Sequence, residues 1–367
     1  MSPMFVHDRA IARVITRAGL AAAAALAGVG ATAHAQANRY YEQTYRSGAH
    51  SFAFNDAMPQ VSYLFNAFDY GHAIGYERLW RSPGTAAREL DGREFDYLTK
   101  SLLVKPPHVP LDEAAIGPVW SLLAPETLAM FGWAHMLHRQ LYDVLVHDRG
   151  NPPERDAHVA DLLRYYKSRP ALAFSSKPKS MDLMEGQPYS LAFRKQNPKF
   201  NGLIWSYHWT QMTLYDAMLA TDSKEGQEVN ANAVVARFWS MVRGGVDSLP
   251  TIMPMSPAIA PMFSTAYPEA AIIFDNLHSL HDVASDILSN PSVPRDQKRA
   301  MLLKASAAYR DNTTSITTVD EWVSMSTMMS LKEQGGAAPI VQRSAPKATA
   351  PRTPAPSAVT SSQHTGS

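Results

Sequence analysis

Histidines recur at three-residue spacing in the most apolar stretches of this 367-residue chain. The patterns are Asp69-x-x-His72, His135-x-x-His138, a single His208, and Asp275-x-x-His278-x-x-His281. Residues three apart are neighbours on a helix surface, so each pair can direct two donor atoms into the same space. Helix bundles build metal sites in this way, from carboxylates and histidines that project inward from several helices. These eight residues are therefore the predicted metal ligands.

The donor types narrow the choice of metal. Ferritin-like di-iron bundles use Glu-x-x-His on two helices and a Glu on each of the other two. Here the paired acids are Asp69 and Asp275, and the other helices offer histidine. A shell rich in imidazole nitrogen favours copper, zinc or iron. A b-type haem is the alternative, because two histidines from different helices can ligate haem iron from both sides. The aromatic residues that could enclose the macrocycle are Phe131, Trp133, Trp205 and Trp209.

The ligands of one ion must bring their nitrogens within about 4–5 Å of one another. We expect His138, His208 and His278 to lie nearest the centre, because each falls near the middle of its helix. The four remaining core histidines lie in loops or near helix ends and are predicted to be solvated: His50, His108, His147 and His158.

Two functions of different classes fit this pattern. The first is an exported helical metalloprotein with an intra-bundle metal or haem site and a redox or oxygen-related role. The second is a metal-free helical binding or scaffold protein. In that case the histidines form a hydrogen-bonded polar layer and the aromatic residues line an apolar ligand pocket.

The elements that must position these residues are helices. Apolar residues recur at three- and four-residue spacing, and alternating strand-like runs are nearly absent, which predicts an all-α fold. The predicted helices cover 58–81, 86–104, 126–147, 156–168, 200–221, 229–242, 268–288, 295–310 and 320–330. Prolines make 171–198 and 250–268 irregular. Helix 200–221 is apolar nearly all round, which predicts a central position in a four-helix-bundle-like core.

The two ends differ from this core. Arg9, Arg13 and Arg17 lead into an apolar run, and Ala33-His34-Ala35 supplies small residues for cleavage, so residues 1–35 are a predicted signal peptide. The mature protein is then expected in the periplasm or outside the cell. Residues 335–367 are rich in Pro, Ala, Ser and Thr and are predicted to be disordered. One helical domain, 36–334, lies between them.

Composition excludes several function classes. The 36–334 core carries four more acidic than basic residues, whereas phosphate contacts need a surplus of Lys and Arg, so no nucleic-acid partner is expected. The chain has no cysteine, which removes thiolate nucleophiles, thiolate metal sites and c-type haem. After signal cleavage no apolar segment of about twenty residues remains, so no stable membrane span is predicted. Nucleotide-binding glycine motifs are absent as well.

Overall fold

A computed structural model describes residues 45–83, 86–110 and 113–345. The predicted signal peptide, 1–35, and the last part of the predicted tail, 346–367, lie outside these ranges. Within them, no helix combines the length and the apolar character that crossing a membrane requires.

The prediction of an all-α protein is confirmed. The described ranges contain no strand, and an isolated antiparallel bridge joins Lys179 to Ile316. Eight helices of ten residues or more carry the described fold: α1 (Pro59–Arg81), α2 (Pro125–His147), α3 (Pro152–Lys167), α4 (Pro198–Leu219), α5 (Lys224–Arg243), α6 (Pro268–Ser289), α7 (Arg295–Arg310) and α8 (Val319–Met328).

Proline begins five of these helices. A proline in the first helical turn loses no hydrogen bond, because its missing N–H would have no partner inside the helix, and its fixed φ suits the helix. The five are Pro59, Pro125, Pro152, Pro198 and Pro268. Each lies within four residues of the start predicted from apolar periodicity.

Residues 86–102 form wider turns than the single α-helix that was predicted. Short α-helical segments alternate with π-helical ones, in the order Ala86–Glu89, Leu90–Glu94, Phe95–Tyr97 and Leu98–Leu102. Buried Glu94 accepts a hydrogen bond from Arg78 of α1 at 2.7 Å. This contact ties the stretch to the first histidine-bearing helix.

The two proline-rich stretches contain short helices. These are Asp182–Glu185, Ala192–Gln196, Ser256–Ile259 and Pro261–Ala266. Asp286 of α6 accepts the backbone N–H groups of Leu191 and Phe193. Asp216 of α4 likewise accepts the N–H of Phe263. Each carboxylate satisfies donors that the start of a helix leaves unpaired, so both stretches are fixed against the core.

The four histidine-bearing helices meet in the interior. Helix α1 contacts both α4 and α6, and α2 contacts both as well. Helix α4 is buried without a break from Phe200 to Met218, which confirms its predicted central position. The arrangement is compatible with the predicted four-helix-bundle-like core.

Beyond Gln334, where the disordered tail was predicted to begin, the chain still packs on the helices. Nε1 of Trp209 donates to the carbonyl of Gly336 at 2.7 Å. Gly335 has a φ of 101°, and a Cβ there would come within 2.8 Å of the Trp209 ring. Only glycine fits this approach without strain.

Asn230 of α5 holds the next part of this segment. Its Oδ1 accepts the backbone N–H groups of Val341 and Gln342, and its Nδ2 donates to the carbonyls of Ala217 and Gln342. Residues 335–345 therefore belong to the described fold. The composition argument missed this because it weighed apolar burial and not hydrogen bonds to the core.

Truncation separates the two parts of the C-terminal segment. A chain that ends at Gln334 should lose about 2–4 kcal/mol of unfolding free energy, because buried Asn230 and Trp209 lose their partners. A chain that ends at Ala345 keeps these bonds and should unfold like the full-length protein. Urea titration followed by circular dichroism measures both. Equal stability of the two truncated chains would contradict the packing of 335–345.

Candidate metal centre

Three of the predicted ligands meet at the centre of the helical core. Nε2 of His208 on α4 lies 3.0 Å from Nε2 of His72 on α1 and 3.3 Å from Nδ1 of His281 on α6. Each residue offers one ring nitrogen within 4.8 Å of the other two. None of the three is more than 3% exposed. This set, called the triad below, could hold a metal ion.

The backbone sets the tautomer of His72. Its Nδ1 lies 2.9 Å from the carbonyl oxygen of Phe68, one helical turn earlier. A carbonyl oxygen only accepts, so Nδ1 carries the proton and Nε2 of the neutral ring presents a lone pair to His208. Metal-ligating histidines are commonly oriented by a hydrogen bond of this kind from the nitrogen that does not bind the metal.

The two contacts of His208 Nε2 cannot both be ordinary hydrogen bonds, because this nitrogen carries one hydrogen at most. If Nε2 donates to His72, no second hydrogen is available for His281. If Nε2 is unprotonated, its lone pair faces that of His72 at 3.0 Å. A metal-free triad therefore leaves buried polar atoms unsatisfied, which is costly.

A cation removes the conflict, and the distances suit one. Nitrogens about 2.0–2.1 Å from a shared ion lie about 2.9 Å apart at a right angle and about 3.3 Å apart at the tetrahedral angle. The measured separations, 3.0 and 3.3 Å, match these values. The two nitrogen separations at Nε2 of His208 are thus those of ligands that share one ion.

Burial keeps the triad in the form that binds metal. It lowers the pKa of His72 to about 4. It also lowers the pKa of His208 and of His281 well below the ordinary value, and the neighbouring histidines add to the effect. All three rings are neutral at pH 7, with lone pairs available to a cation.

His135 lies beside the triad in acidic surroundings. Its Nδ1 is 3.4 Å from Oε1 of Glu113 and 3.7 Å from Oδ1 of Asp69, and its ring centroid is 5.3 Å from that of His281. Burial by itself would lower the pKa of His135, but Asp69 and Glu113 more than offset it and raise the pKa above the ordinary value. Asp69 also accepts from Arg139 at 2.6 Å. His135 can therefore carry a proton next to three rings that cannot.

Glu113 was not among the predicted ligands. It begins the short helix Glu113–Ile116 and is buried against His135. In the sequence it is one acid at the start of a short helix, a position that favours acids for electrostatic reasons alone. No local pattern identifies it, so only the tertiary contact does.

His138 and His278 lie beside the triad and not within it. Nδ1 of His138 is 2.7 Å from the hydroxyl of Tyr215, and its ring stacks on Phe274 with centroids 3.6 Å apart. The ring of His278 stacks on His208 at 4.1 Å and 9°. An ion in the plane of His208 lies outside the plane of His278, where no lone pair points. Both nitrogens of His278 are without a hydrogen-bond partner among the described residues.

Asp275 has a structural contact set of its own. Its carboxylate accepts the backbone N–H and the hydroxyl of Ser256 and the indole N–H of Trp322. Burial raises its pKa to about 7, and these hydrogen bonds counteract the rise in part. The structure does not bring Asp275 to the triad. Through these hydrogen bonds Asp275 connects the 250–268 stretch and α8 to α6.

The centre of the site differs from the expected trio of His138, His208 and His278. Residues three apart on a helix differ by about 4.5 Å along its axis, so one member of a pair reaches a given point and the other faces a different level. His281 directs Nδ1 at Nε2 of His208, whereas His278 lays its ring face on His208 and His138 stacks on Phe274. Periodicity identifies the helix face, but the axial offset between helices selects the residue.

The geometry favours a bare ion over haem. Axial nitrogens on haem iron lie about 4 Å apart on opposite faces of a wide, flat ring. The two separations at Nε2 of His208 are shorter than this, and the cavity that His72 helps to line has a volume of about 10 Å³. That is space for about one water molecule.

No protein-family model, curated protein or solved structure matches the chain. The proposed function therefore rests on the chemistry of the site.

The lowered pKa of His72 predicts a pH effect in metal-free protein. The folded ring protonates near pH 4 and the unfolded ring near 6.5, so the unfolded state binds more protons between these values. Unfolding free energy should therefore fall as pH drops from 6.5 toward 4, by at most about 1.4 kcal/mol per pH unit for this ring. The His72→Gln variant lacks this ring, so its unfolding free energy should fall less over the same pH range. Urea titrations of chelator-treated protein at several pH values give the difference between the two.

Buried carboxylates with raised pKa values, such as Asp275, have the opposite effect, because they make the unfolding free energy rise as pH falls. They are present in both proteins and cancel in the comparison. Stability curves that stay parallel between pH 6.5 and 4 would contradict the buried, neutral state of His72.

Asp275→Asn tests the structural role of that carboxylate. The amide cannot accept from Ser256 and Trp322 as the carboxylate does, so unfolding free energy should fall by about 1–3 kcal/mol. Metal content should not change. A loss of metal with unchanged stability would instead make Asp275 a ligand.

Proposed function

We propose that the protein is an exported metalloprotein that binds one transition-metal ion through His72, His208 and His281. The observation that carries the proposal is the convergence of two imidazole nitrogens on Nε2 of His208, at 3.0 and 3.3 Å, in a fully buried setting. Three neutral rings converge there on a point that a cation satisfies and a hydrogen-bond network does not.

The donor set defines the class of ion. Imidazole suits copper, zinc and iron, whereas calcium and magnesium prefer oxygen ligands. Three protein ligands also leave a fourth position open in a tetrahedral site, as metal sites that act on substrates do. A metal-bound small molecule is the natural occupant of that position.

A redox or oxygen-related role is the use that the surroundings favour. Phe131 packs edge-on against His281 with centroids 4.3 Å apart, and Tyr76 and Tyr207 lie near His72. Packed rings hold the ligands in place when the charge of the ion changes. His135 stands beside them with a raised pKa and can deliver or accept a proton when the ion exchanges an electron. Export follows from the signal-peptide pattern in residues 1–35.

The alternative is a metal-free helical scaffold with a polar histidine layer. The bond between His138 and Tyr215 is an interaction of this type. In that protein Nε2 of His208 would face His72 and His281 at 3.0 and 3.3 Å with one hydrogen at most for the two contacts. The cavity beside His72 has room for about one water molecule, so it is not the ligand pocket of such a scaffold.

Metal analysis of matched histidine variants decides between the two. Untagged mature protein, purified from its export compartment, should hold about one copper, zinc or iron ion per chain. His208→Gln and His281→Gln should lose most of it, because each removes a ligand. His138→Gln is the control, since this ring is equally buried but bonded to Tyr215.

The measurement is elemental analysis by mass spectrometry, with visible and paramagnetic resonance spectra to identify copper or iron. If native protein holds no metal and takes up none when offered each ion, the scaffold alternative replaces the metal site. If His138→Gln loses metal as readily as His208→Gln, the triad is not the binding unit.

A further inference from the structure

A second histidine–carboxylate group lies at the turn between α2 and α3. Asp148 follows the last residue of α2, and Gly150, with a φ of 76°, turns the chain back toward α3. The Asp148 side chain is 1% exposed, although the group around it is open to solvent on one side. His135 lies thirteen residues earlier on α2, about 20 Å away along the helix axis, so this group is separate from the triad.

Asp148 contacts two histidines through its carboxylate oxygens. Nδ1 of His147 lies 2.6 Å from Oδ1, and Nδ1 of His158 lies 2.7 Å from Oδ2. A carboxylate orients metal-binding histidines in many proteins through such contacts. Both rings are about one-third exposed, so a solvated ion can reach them.

Glu154 completes a set of donors with Asp148 and His158. Glu154 and His158 are four residues apart on α3 and share one face of that helix. Each of the three residues offers a donor atom within 4.8 Å of the other two. The set combines one imidazole with two carboxylates, and both are zinc ligands.

His50 is a buried histidine beside this group, and no hydrogen bond within the described ranges accounts for its burial. The prediction that His50 is solvated is wrong: it is 4% exposed, and neither of its ring nitrogens has a hydrogen-bond partner among the described residues. Its centroid lies 5.1 Å from that of His158. The ring folds back over Gly48, where a Cβ would come within 2.6 Å of Cε1. Burial, together with neighbouring His158, lowers the pKa of His50, which leaves a neutral ring with a lone pair.

We propose that His50, Asp148, Glu154 and His158 form a second, solvent-accessible site for a divalent transition-metal ion of the zinc class. His147 positions Asp148 from the opposite carboxylate oxygen. Imidazole and carboxylate are both ligands of Zn²⁺, four donors suit its tetrahedral coordination, and the histidines disfavour Ca²⁺ and Mg²⁺. The proposal does not depend on the triad.

Zinc titration of the untagged mature protein tests it. After metal removal by chelation, calorimetry with Zn²⁺ alone should show binding at this site in the native protein. His158→Gln should abolish it or weaken it at least about tenfold. His108→Gln is the matched control, since His108 is another exposed histidine, stacked on Tyr63. It should bind as the native protein does.

Two further variants keep the outcome clear. Glu154→Gln changes an exposed side chain and should weaken the same binding event without loss of fold, which circular dichroism verifies. His208→Gln should leave this event intact, even if it abolishes binding at the triad. If His158→Gln and Glu154→Gln bind Zn²⁺ with native stoichiometry and affinity, the second site is refuted. If both weaken it while His208→Gln has no effect on any zinc binding, this site stands and the triad does not bind zinc.

Discussion

Buried polar atoms need partners, and the histidine-bearing helices, above all α4 and α6, are buried along most of their length. Their carboxylates meet this requirement by accepting backbone N–H groups from neighbouring segments. Asp143 of α2 accepts from Phe52 and Phe54, just as Asp216 and Asp286 do for the short helices beside them. Burial raises the pKa of Asp143 to about 7 and that of Asp216 and Asp286 to about 6. The loops are thus ordered by the same interactions that satisfy the core.

The histidines of these helices are not satisfied in this way. A carboxylate oxygen accepts several N–H groups, whereas a neutral imidazole has one donor and one acceptor, and their directions are fixed. His72 uses its donor on Phe68. What remains at the centre is a set of lone pairs and unpaired nitrogens around His208. Repulsion between buried acceptors is what a cation relieves, and this links the packing of the helices to the chemistry of the site.

The two proposed sites differ in how an ion would reach them. The triad lies where side chains are at most 3% exposed, so exchange of its ion requires the helices to open. The group at Asp148 has two rings about one-third exposed and exchanges with solvent directly. Their donors differ as well, since the triad offers only imidazole nitrogens and the group at Asp148 combines imidazole with carboxylate oxygens.

The sequence by itself determined the helices, their central member and the residue types of the site. Apolar periodicity and proline positions define a helix locally, because both act within a few residues. The choice of His72 and His281 over His138 and His278 was decided by the tertiary structure, because it depends on the rotation and axial offset of whole helices. Contacts between distant segments likewise brought Glu113 to His135 and His50 to His158. They also ordered residues 335–345, whose composition alone predicts disorder, through hydrogen bonds to α4 and α5.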